Sequence, residues 1–422
     1  MPSSGTLITN KRFKCSFCDS NNLSNVINFG DVALAGAFLK YDETINEKKY
    51  PLNICFCQQC FMLQVVDIIK PEDMFSKYFY SSSSIKTLRN HFNQYAKDIS
   101  SIPNNINDSI VLEFGCNDGV LLKPLLEKNF SKVIGVDPAS NIINNVKNDK
   151  NLVLYNDFFT KKLASSIVNK HGKLDIIMAN NVFAHISTIK DTTSAIYNSL
   201  SDNGVFIFEV HYLSSLIDEL QYDMIYHEHL FYYSFLSAKN HFTKFNMTIY
   251  DVKKTPIHGG SIRFYVCKKG SKMDVSTINV KRLEQEELKN KYNKYSTFVD
   301  FADKINSSRN NLNKLLQELK NKGKSIVGYG ASGRANTIIQ FCNIDKNILD
   351  YMIDDAPHKQ GFYTPGSHLK IHNSSKLYSK NPPDYVLLFA WSFEQEIYEK
   401  NKKFINDGGK FIIPLPKLRI FP

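Results

Sequence analysis

The sequence predicts an α/β fold made of a small cysteine-rich N-terminal domain and two larger units in which strands alternate with helices. Five of the eight cysteines lie within residues 1 to about 70, where helical periodicity is weak. Short apolar runs at 110–114, 133–136, 175–179 and 205–210, which predict strands, alternate with amphipathic stretches over residues 105–250. The alternation restarts near residue 324, after a Lys- and Glu-rich segment, 281–322, that reads as one long helix. Such alternation is typical of a parallel sheet with helices on both faces.

The length and composition are those of a globular protein. A chain of 422 residues with 43% hydrophobic and 22% charged residues has room for roughly two to four domains. The N-terminal residues lack the apolar core of a secretory signal, and the longest apolar run beside a strand candidate, 386–391, is far shorter than the ~20 residues that span a bilayer. We therefore expect a soluble, cytoplasmic protein that has no membrane partner.

The net charge is positive but scattered along the chain. A formal charge of +11 and a pI near 9.0 favour anionic partners such as nucleic acid, anionic lipid or a phosphorylated metabolite. The sequence contains no long run of like charges and no basic stripe interleaved with aromatic residues. The charge alone therefore does not select one of these partners.

Two C-x-x-C pairs predict a zinc site in the N-terminal domain. Cys15 and Cys18 form one pair, and Cys57 and Cys60 form the other. Each pair places two thiolates on a tight turn, and two such turns supply the tetrahedron that Zn²⁺ prefers. A site closed by four protein ligands has no position for substrate, so we interpret the zinc as structural; a nucleic-acid-binding ribbon is the functional alternative. Cys55 should point to the opposite face of its strand and is left out.

A loop between a predicted strand and a predicted helix carries the first candidate ligand site. Within residues 111–119, Gly115 and Gly119 permit a tight turn and the close approach of a ligand. The loop lacks the G-x-G-x-x-G spacing of a dinucleotide site. Its acidic residues, Glu113 and Asp118, would repel a phosphate but suit a ligand that carries a cationic amine.

Polar residues after the following strands extend this site. Asp137 ends the next strand, where an acid can accept hydrogen bonds from both ribose hydroxyls. Asp157 and Phe158 offer an acid and an aromatic ring for an adenine edge. A ribose, an adenine and an amino-acid tail without phosphate are the parts of S-adenosylmethionine. The sequence therefore predicts an S-adenosylmethionine site at Glu113, Gly115, Cys116, Asn117, Gly119, Asp137, Asp157, Phe158 and Asn180.

A dense cluster of ionisable residues predicts a catalytic site. Residues 222–229 hold two tyrosines, two histidines and two acids, Tyr80 lies upstream among phenols and hydroxyls, and His185 follows a strand of the cofactor unit. His227 and His229 would share a face as metal ligands in an extended segment, but a third ligand and the H-E-x-x-H spacing are missing. Acid–base chemistry is the better interpretation, because a histidine accepts a proton near neutral pH and a nearby carboxylate can fix its tautomer.

A second glycine loop precedes a helix of the C-terminal unit. Gly328, Gly330 and Gly333 have the G-x-G-x-x-G spacing after a strand, a context that favours a diphosphate at the helix N-terminus. Arg334 adds a guanidinium fork for phosphate oxygens. No clear acid with a ribose role follows at the expected distance, although Asp354 and Asp355 end the next strand. A nucleotide diphosphate is therefore favoured over a nicotinamide cofactor. Tight packing of the helix on the strand is the structural alternative.

Taken in order along essentially the whole chain, these motifs resemble the three-domain nucleotide-sugar C-methyltransferases of branched-deoxysugar biosynthesis, of the sugar C-3 methyltransferase type. The motifs are the two cysteine pairs, the 113–119 loop, the Tyr226-His227-Glu228-His229 element, His258-Gly259-Gly260 and the 328–333 loop. The resemblance implies a zinc-binding domain at 1–75, an S-adenosylmethionine-binding methyltransferase domain at 76–250 and a C-terminal Rossmann-like substrate-binding domain at 251–422.

The resemblance also implies residue roles. His229 is the base, Tyr226 and Glu228 occupy its partner positions, and Tyr80 and His185 complete the catalytic set. Substrate would lie between the central and C-terminal domains. We expect it to contact Tyr329, Gly330, Ser332, Arg334 and Asn336.

The function expected from these motifs is methylation, at C3, of a 4-keto nucleotide-diphosphate deoxysugar, with S-adenosylmethionine as methyl donor and a structural Zn²⁺. The ketone acidifies the neighbouring C–H bond, His229 removes that proton, and the enolate attacks the sulfonium methyl. Alternatives are an O- or N-methyltransferase on a nucleotide sugar or other phosphorylated metabolite, a zinc-ribbon nucleic-acid-binding protein or RNA methyltransferase, and a degenerate structural partner. We expect a monomer or small homo-oligomer with no nucleic-acid partner.

Overall fold

The computed structural model describes residues 10–71, 74, 82–84 and 86–422. The strands of this part of the chain are β1 (Asn10–Lys11), β2 (Leu23–Ala33), β3 (Lys49–Cys57), β4 (Leu63–Val65), β5 (Asp67–Ile68), β6 (Ile110–Phe114), β7 (Lys132–Val136), β8 (Leu152–Tyr155), β9 (Leu174–Asn180), β10 (Leu200–His211), β11 (Phe231–Tyr232), β12 (Met247–Thr255), β13 (Ser261–Lys268), β14 (Ile326–Tyr329), β15 (Met352–Ile353), β16 (Ile371–His372), β17 (Tyr385–Leu388), β18 (Lys410–Ile413) and β19 (Arg419–Phe421). Its α-helices from residue 86 onward are α1 (Lys86–Ser100), α2 (Leu122–Leu126), α3 (Ser140–Ile143), α4 (Lys161–His171), α5 (Ile189–Ser199), α6 (Leu213–Asp218), α7 (Phe235–Thr243), α8 (Ile278–Lys289), α9 (Tyr295–Asn321), α10 (Gly333–Phe341), α11 (Glu394–Lys400) and α12 (Lys402–Asn406).

The N-terminal domain is organised around an antiparallel sheet with the strand order β11-β4-β3-β2. Strand β3 alternates buried and half-buried side chains along most of its length, the period-two pattern of a strand with one face in a core. Its last residue, Cys57, begins the second cysteine turn. The fourth strand of this sheet, β11, comes from far along the chain.

The central domain contains a seven-stranded sheet with the order β12-β13-β10-β9-β6-β7-β8. Neighbouring strands from β10 to β8 are parallel, and β13 runs antiparallel to both β10 and β12. The strands predicted at 110–114, 133–136, 175–179 and 205–210 correspond to β6, β7, β9 and β10. Because parallel strands end at one edge of a sheet, the loops after these strands meet there, where ligands bind in open α/β sheets.

Helix α1 shows how the sequence builds the layers on this sheet. Leu88, Phe92, Tyr95 and Ile99 recur at spacings of three and four residues, and all four are buried. They form one apolar cluster with Val111 of β6. The burial of one helix face against apolar strands is therefore what fixes α1 on the sheet.

A helical connector leads to the C-terminal domain. The segment predicted as a single long helix, 281–322, is divided between α8 and α9. Asn290 ends α8, and Lys291 adopts a left-handed conformation with φ of +58°, which a continuous helix does not allow. The C-terminal domain then forms a six-stranded sheet with the order β16-β15-β14-β17-β18-β19, parallel except for β19.

The three parts of the chain are joined around α10. The Asn336 amide donates to the Ala35 carbonyl of the N-terminal domain at 2.6 Å, and the Thr337 hydroxyl donates to the Ile225 carbonyl at 3.1 Å. The predicted domain boundary at residue 250 lies inside β12, and the central sheet continues to the end of β13. Among the described residues, we find no helix with the length and apolar character needed to cross a bilayer.

Candidate active site

The structure brings the four predicted zinc ligands together. The sulfur atoms of Cys15, Cys18, Cys57 and Cys60 all lie within 4.8 Å of one another. Two contacts join the two turns, Cys15 Sγ to Cys60 Sγ at 3.4 Å and Cys18 Sγ to Cys57 Sγ at 3.5 Å. Four buried or half-buried thiols at this spacing fit a tetrahedral Zn²⁺ with no open position.

Groups around the cluster hold the cysteines in place. The Gln64 side chain, only 1% exposed, donates to Cys15 Sγ at 3.2 Å and accepts from the Ser16 backbone N–H at 3.1 Å. Donors to a thiolate ligand fix its orientation and stabilise its charge. Cys55 lies opposite Gln64 in the β3–β4 pairing and does not belong to the cluster.

The cofactor loop presents two buried oxygen atoms that have no hydrogen-bond partner. Asn180 donates to Glu113 Oε1 at 2.8 Å, which leaves Glu113 Oε2 and Asn180 Oδ1 unpaired. Burial raises the pKa of Glu113 to about 8, with smaller contributions from nearby carboxylates and an opposing one from Asn180. Two unpaired acceptors at the carboxyl edge suit the cationic amine of S-adenosylmethionine, so the residues present fit that cofactor.

The turn after β6 is shaped for close packing. Gly115 has φ of +68°, and a Cβ at this position would lie 2.7 Å from a methyl of Val182, so only glycine fits. The Cys116 side chain is buried, and its Sγ atom would lie 3.0 Å from a Cβ at Gly135. The thiol is therefore packed inside the domain. Gly119 closes the turn by donating from its backbone N–H to the Cys116 carbonyl.

Asp137 joins this turn to the next strand. Its carboxylate accepts from the Asn117 backbone N–H at 2.8 Å and from the Ala139 backbone N–H at 2.9 Å. Burial raises the pKa of Asp137 while these two donors oppose that effect. Asp157 is exposed and Phe158 is half-buried just after β8. The predicted ribose and adenine residues therefore lie at the ends of neighbouring strands.

The centre of the predicted catalytic site is a hydrogen-bonded pair. Tyr226 Oη and His229 Nε2 are 2.8 Å apart, and His229 Nδ1 lies 2.8 Å from the Met224 carbonyl oxygen. Because a carbonyl can only accept, Nδ1 carries the proton. Nε2 therefore presents a lone pair, which accepts a hydrogen bond from the tyrosine hydroxyl. The His185 ring lies beside this pair, with its centroid 5.1 Å from that of His229.

The backbone explains why these residues meet. The Leu230 N–H donates to the Ala184 carbonyl at 3.0 Å, which sets the 226–229 segment against the loop after β9. A Cβ at Gly36 of the N-terminal domain would lie 3.3 Å from Glu228 Oε1, so Glu228 faces that domain. Tyr80, the fifth predicted catalytic residue, lies outside the described residues.

The site is electrostatically unusual because its ionisable groups are poorly solvated. Burial lowers the pKa of His185 to about 4 and raises the pKa of Glu228 to about 7. Burial also lowers the pKa of His229 well below its usual value, and the neighbouring His185, His211 and His258 lower it further. The histidines are therefore neutral imidazoles at neutral pH, able both to donate and to accept hydrogen bonds.

Other polar residues of the 222–229 cluster have structural partners. His227 is buried and donates from Nε2 to the Pro51 carbonyl of the N-terminal domain at 3.0 Å. Asp223, with 0% exposure, accepts from Arg334 Nε and from Trp391 Nε1, both at 2.9 Å. His227 and His229 thus point to different partners and do not form a metal-binding face.

The predicted substrate residues of the second glycine loop lie at the start of α10. Ser332 caps this helix by accepting from the Ala335 N–H at 3.2 Å, and the Tyr329 hydroxyl donates to Asp355 at 2.6 Å. A Cβ at Gly330 would lie 2.7 Å from that of Ala390, so tight packing accounts for this glycine.

Arg334 and Asn336 both have protein partners. Arg334 pairs with Asp223 through Nε, whereas its Nη2 atom is buried without a partner. Asn336 is fully buried with its amide on the Ala35 carbonyl. Among the five predicted substrate residues, Arg334 therefore keeps an unused donor at the junction of the central and C-terminal domains.

Two histidines to which the sequence motifs assign no role, His211 and His258, lie at the same edge of the central sheet as the predicted catalytic pair. His211 ends β10, and His258 lies in the turn between β12 and β13. Both influence the pKa of His229. The position of His211 at the carboxyl end of a strand was a usable signal, whereas His258 is brought there by the antiparallel β13.

Three family models match the chain in sequence order. Residues 15–75 match a zinc binding domain, residues 88–252 a methyltransferase domain and residues 256–416 a C-methyltransferase C-terminal domain. The chain is 29% identical over 408 residues to C-methyltransferase NovU from Streptomyces niveus. The alignment covers 96% of each protein.

Solved structures of methyltransferases also align with part of the chain. Magnesium protoporphyrin IX methyltransferase (ChlM) from Synechocystis PCC 6803 with bound S-adenosylmethionine aligns over 43% of this chain and 82% of its own, with 13% identity and a TM-score of 0.33. An S-adenosylmethionine-dependent methyltransferase from Clostridium acetobutylicum aligns over 44% of this chain and 94% of its own, with 16% identity and a TM-score of 0.31.

The ordered domain matches, the relative that spans nearly the whole chain and the four-cysteine cluster agree with one another. These findings identify the chain as an S-adenosylmethionine-dependent C-methyltransferase that has an N-terminal zinc-binding domain and is similar to C-methyltransferase NovU.

Proposed function

We propose that the protein methylates carbon C3 of a 4-keto nucleotide-diphosphate deoxysugar through an enolate, in branched-sugar biosynthesis. The observation that carries the proposal is the Tyr226–His229 pair, held beside His185 at the carboxyl edge of the cofactor domain's sheet. A sugar carbon becomes a nucleophile only when a neighbouring ketone acidifies its C–H bond. Such a proton transfer requires a base held in a fixed position, and a phenol beside it can act as a hydrogen-bond donor.

The base in this proposal is His229. Its Nδ1–H is held by the Met224 carbonyl, so its Nε2 is the atom that accepts the proton. The low pKa of the buried imidazole makes an isolated imidazolium unfavourable. When the proton leaves carbon, however, the imidazolium forms together with an enolate, and the two opposite charges stabilise each other in a poorly solvated site.

The developing enolate oxygen needs donors, and two neighbours of the base supply them. The Tyr226 hydroxyl donates to Nε2 in the structure, and it donates to the enolate oxygen instead once Nε2 takes up the proton. The neutral imidazole of His185 offers a second N–H. One well-placed donor of this type is worth about 2.7–4 kcal/mol in the transition state.

S-adenosylmethionine supplies an electrophilic methyl and leaves as a neutral thioether. Glu113 and Asn180, with their two unpaired oxygens, hold the amine end of the cofactor at the strand ends. Arg334, with its unused Nη2, lies at the junction of the central and C-terminal domains and binds the diphosphate of the sugar substrate. The proposed substrate therefore extends between these two domains.

The first test is a screen of 4-keto sugars linked to thymidine, uridine, cytidine and guanosine diphosphates. We expect a mass increase of about 14 Da, because a methyl replaces a hydrogen, and exchange of the C3 deuterium into solvent. His229→Ala should lower the rate by about 10²–10⁴-fold, the usual contribution of a general base. His171→Ala is the matched control, because this last residue of α4 hydrogen-bonds to Tyr155 of β8 and takes no part in the cluster.

Two results would contradict the proposal. Methylation without exchange or loss of the C3 hydrogen would indicate transfer to oxygen or nitrogen. Full activity of the His229→Ala variant would remove His229 as the base.

A further inference from the structure

The turn between β12 and β13 places His258 at the carboxyl edge of the central sheet. Strand β12 runs toward this edge and β13 leads away from it. Because β13 pairs with β10, with Ser261 opposite His211, the turn lies next to the end of β10. The chain therefore delivers one more imidazole to the edge where the catalytic pair lies.

His258 adopts a conformation that side-chain-bearing residues rarely adopt. Its φ and ψ are 55° and 24°, in the left-handed region. Such conformations cost energy and persist only when the surroundings enforce them, commonly at binding sites. Here Gln221, which is fully buried, donates to the Gly259 carbonyl at 2.7 Å and lies 2.9 Å from His211 Nε2. The strained turn is thus tied to β10 through Gln221.

The imidazole of His258 is not held by a hydrogen bond to any residue in the described part of the protein, and it is partly exposed. Burial lowers its pKa to about 4, and the positive charge of Arg334 lowers it further. His258 in turn lowers the pKa of His229. The turn also lies near Arg334, because Gln221, which holds Gly259, is two residues before Asp223, the partner of Arg334.

We propose, on the basis of the function proposed above, that His258 is a substrate-binding residue whose imidazole hydrogen-bonds a polar group of the sugar. The proposed substrate has its reacting carbon at His229 and its diphosphate at Arg334, so its sugar passes the edge of the sheet at which this turn lies. A neutral imidazole offers one donor and one acceptor, which suits the hydroxyl or carbonyl groups of a sugar ring. His211, held by Gln221, supports the turn as a positioning residue.

The test compares the binding of three ligands to the same variants. His258→Asn and His258→Gly both tolerate a left-handed backbone, so the turn should be preserved. His368→Asn is the matched control, because His368 also has a positive φ, of 53°, but pairs with Glu47 away from the catalytic cluster. Each protein is titrated calorimetrically with the 4-keto nucleotide sugar identified in the screen, with the matching nucleoside diphosphate and with S-adenosylmethionine.

We expect both His258 variants to bind the nucleotide sugar about tenfold more weakly, with affinities for the nucleoside diphosphate and S-adenosylmethionine within twofold of wild type. His368→Asn should bind all three ligands like wild type. Unchanged affinity for the nucleotide sugar, or an equal loss for the nucleoside diphosphate, would overturn the inference and leave the proposed function standing. If the wild-type protein binds none of the nucleotide sugars, both proposals fail together.

Discussion

Two oxygen atoms without partners, Glu113 Oε2 and Asn180 Oδ1, define what the cofactor site accepts. A buried acceptor without a donor costs about 1–3 kcal/mol, so a ligand that supplies donors recovers this free energy. The raised pKa of Glu113, about 8, means that the carboxyl group is largely protonated at neutral pH in the unliganded protein. A cationic amine needs the carboxylate, so binding should release a proton.

This coupling predicts a pH-dependent affinity for S-adenosylmethionine. Below a pKa of about 8 the carboxylate fraction rises with pH, so the affinity should rise about tenfold between pH 6 and pH 7. The amine of the ligand stays charged over that range. Glu113→Gln should bind more weakly and lose the pH dependence, whereas Glu127→Gln, an exposed residue after α2, should behave like wild type. Isothermal titration calorimetry measures both; a flat profile for wild type would contradict the prediction.

At the scale of elements, the connector helix α8 fixes the start of α7. Glu287 of α8 is fully buried and accepts from the backbone N–H groups of Phe235 and Leu236 at 2.6 and 2.9 Å, and from the Tyr212 hydroxyl at 2.9 Å. These N–H groups belong to the first turn of α7 and have no partner within the helix. Since Tyr212 follows His211, the same carboxylate also steadies the end of β10.

Removal of this carboxylate should therefore destabilise the protein. Glu287→Ala leaves three buried donors unpaired, and we expect the free energy of unfolding to fall by about 2–5 kcal/mol. Glu286→Ala is the matched control on the same helix, because Glu286 pairs with Lys254 at an exposed surface and should change stability by less than about 1 kcal/mol. Denaturant unfolding measures both variants. Equal losses for the two would show that the buried contacts do not contribute.

Elements differ in how far the sequence predicts them. The strand at 110–114 was predicted with its observed bounds, because a short apolar run between turn residues is a local signal. The prediction of a single helix at 281–322 was wrong. The break depends on the left-handed conformation of Lys291, and the charged residues around it give no sequence signal for that conformation. The antiparallel strand β13 was not predicted, because its pairing with β10 is a tertiary feature with no local marker.

The predicted site also contains features with a local sequence signal and features that depend on the fold. Cysteine spacing was sufficient to predict the zinc cluster, since the ligands come in two local turns. The clustering of His229, Tyr226 and His185 also agrees with the expectation, but which groups bond to one another depends on the fold. Asn336 and Tyr329 illustrate this: their motif suggested ligand contacts, and the structure shows them bonded to Ala35 and Asp355.

At the scale of the whole molecule, the zinc-binding domain supports the catalytic segment. The Pro51 carbonyl accepts from His227, Gly36 leaves room for Glu228, and β11 adds to the sheet beside β4. Four cysteine ligands would leave a bound Zn²⁺ no open position, so we expect the metal to be structural. Its contribution is to fold the domain on which residues 226–229 rest.

Loss of zinc should therefore act through stability. We expect about one Zn²⁺ per chain by metal analysis, and Cys60→Ser should hold less metal and unfold at a lower temperature because a ligand is lost. Cys55→Ser is the matched control, since Cys55 is a half-buried cysteine in the same sheet outside the cluster. Protein without metal, or equal loss of zinc in the two variants, would overturn the four-cysteine assignment.

The pairing of Leu63 with Tyr232 also constrains when the N-terminal sheet can be completed during synthesis. When residues 63–65 emerge from the ribosome, the strand that will cover their open edge has not yet been translated. All three residues of this strand are buried in the complete protein, and until β11 pairs with it the strand edge is a template for wrong pairing. We therefore expect the N-terminal sheet to reach its final strand order only after residue 232 has been translated.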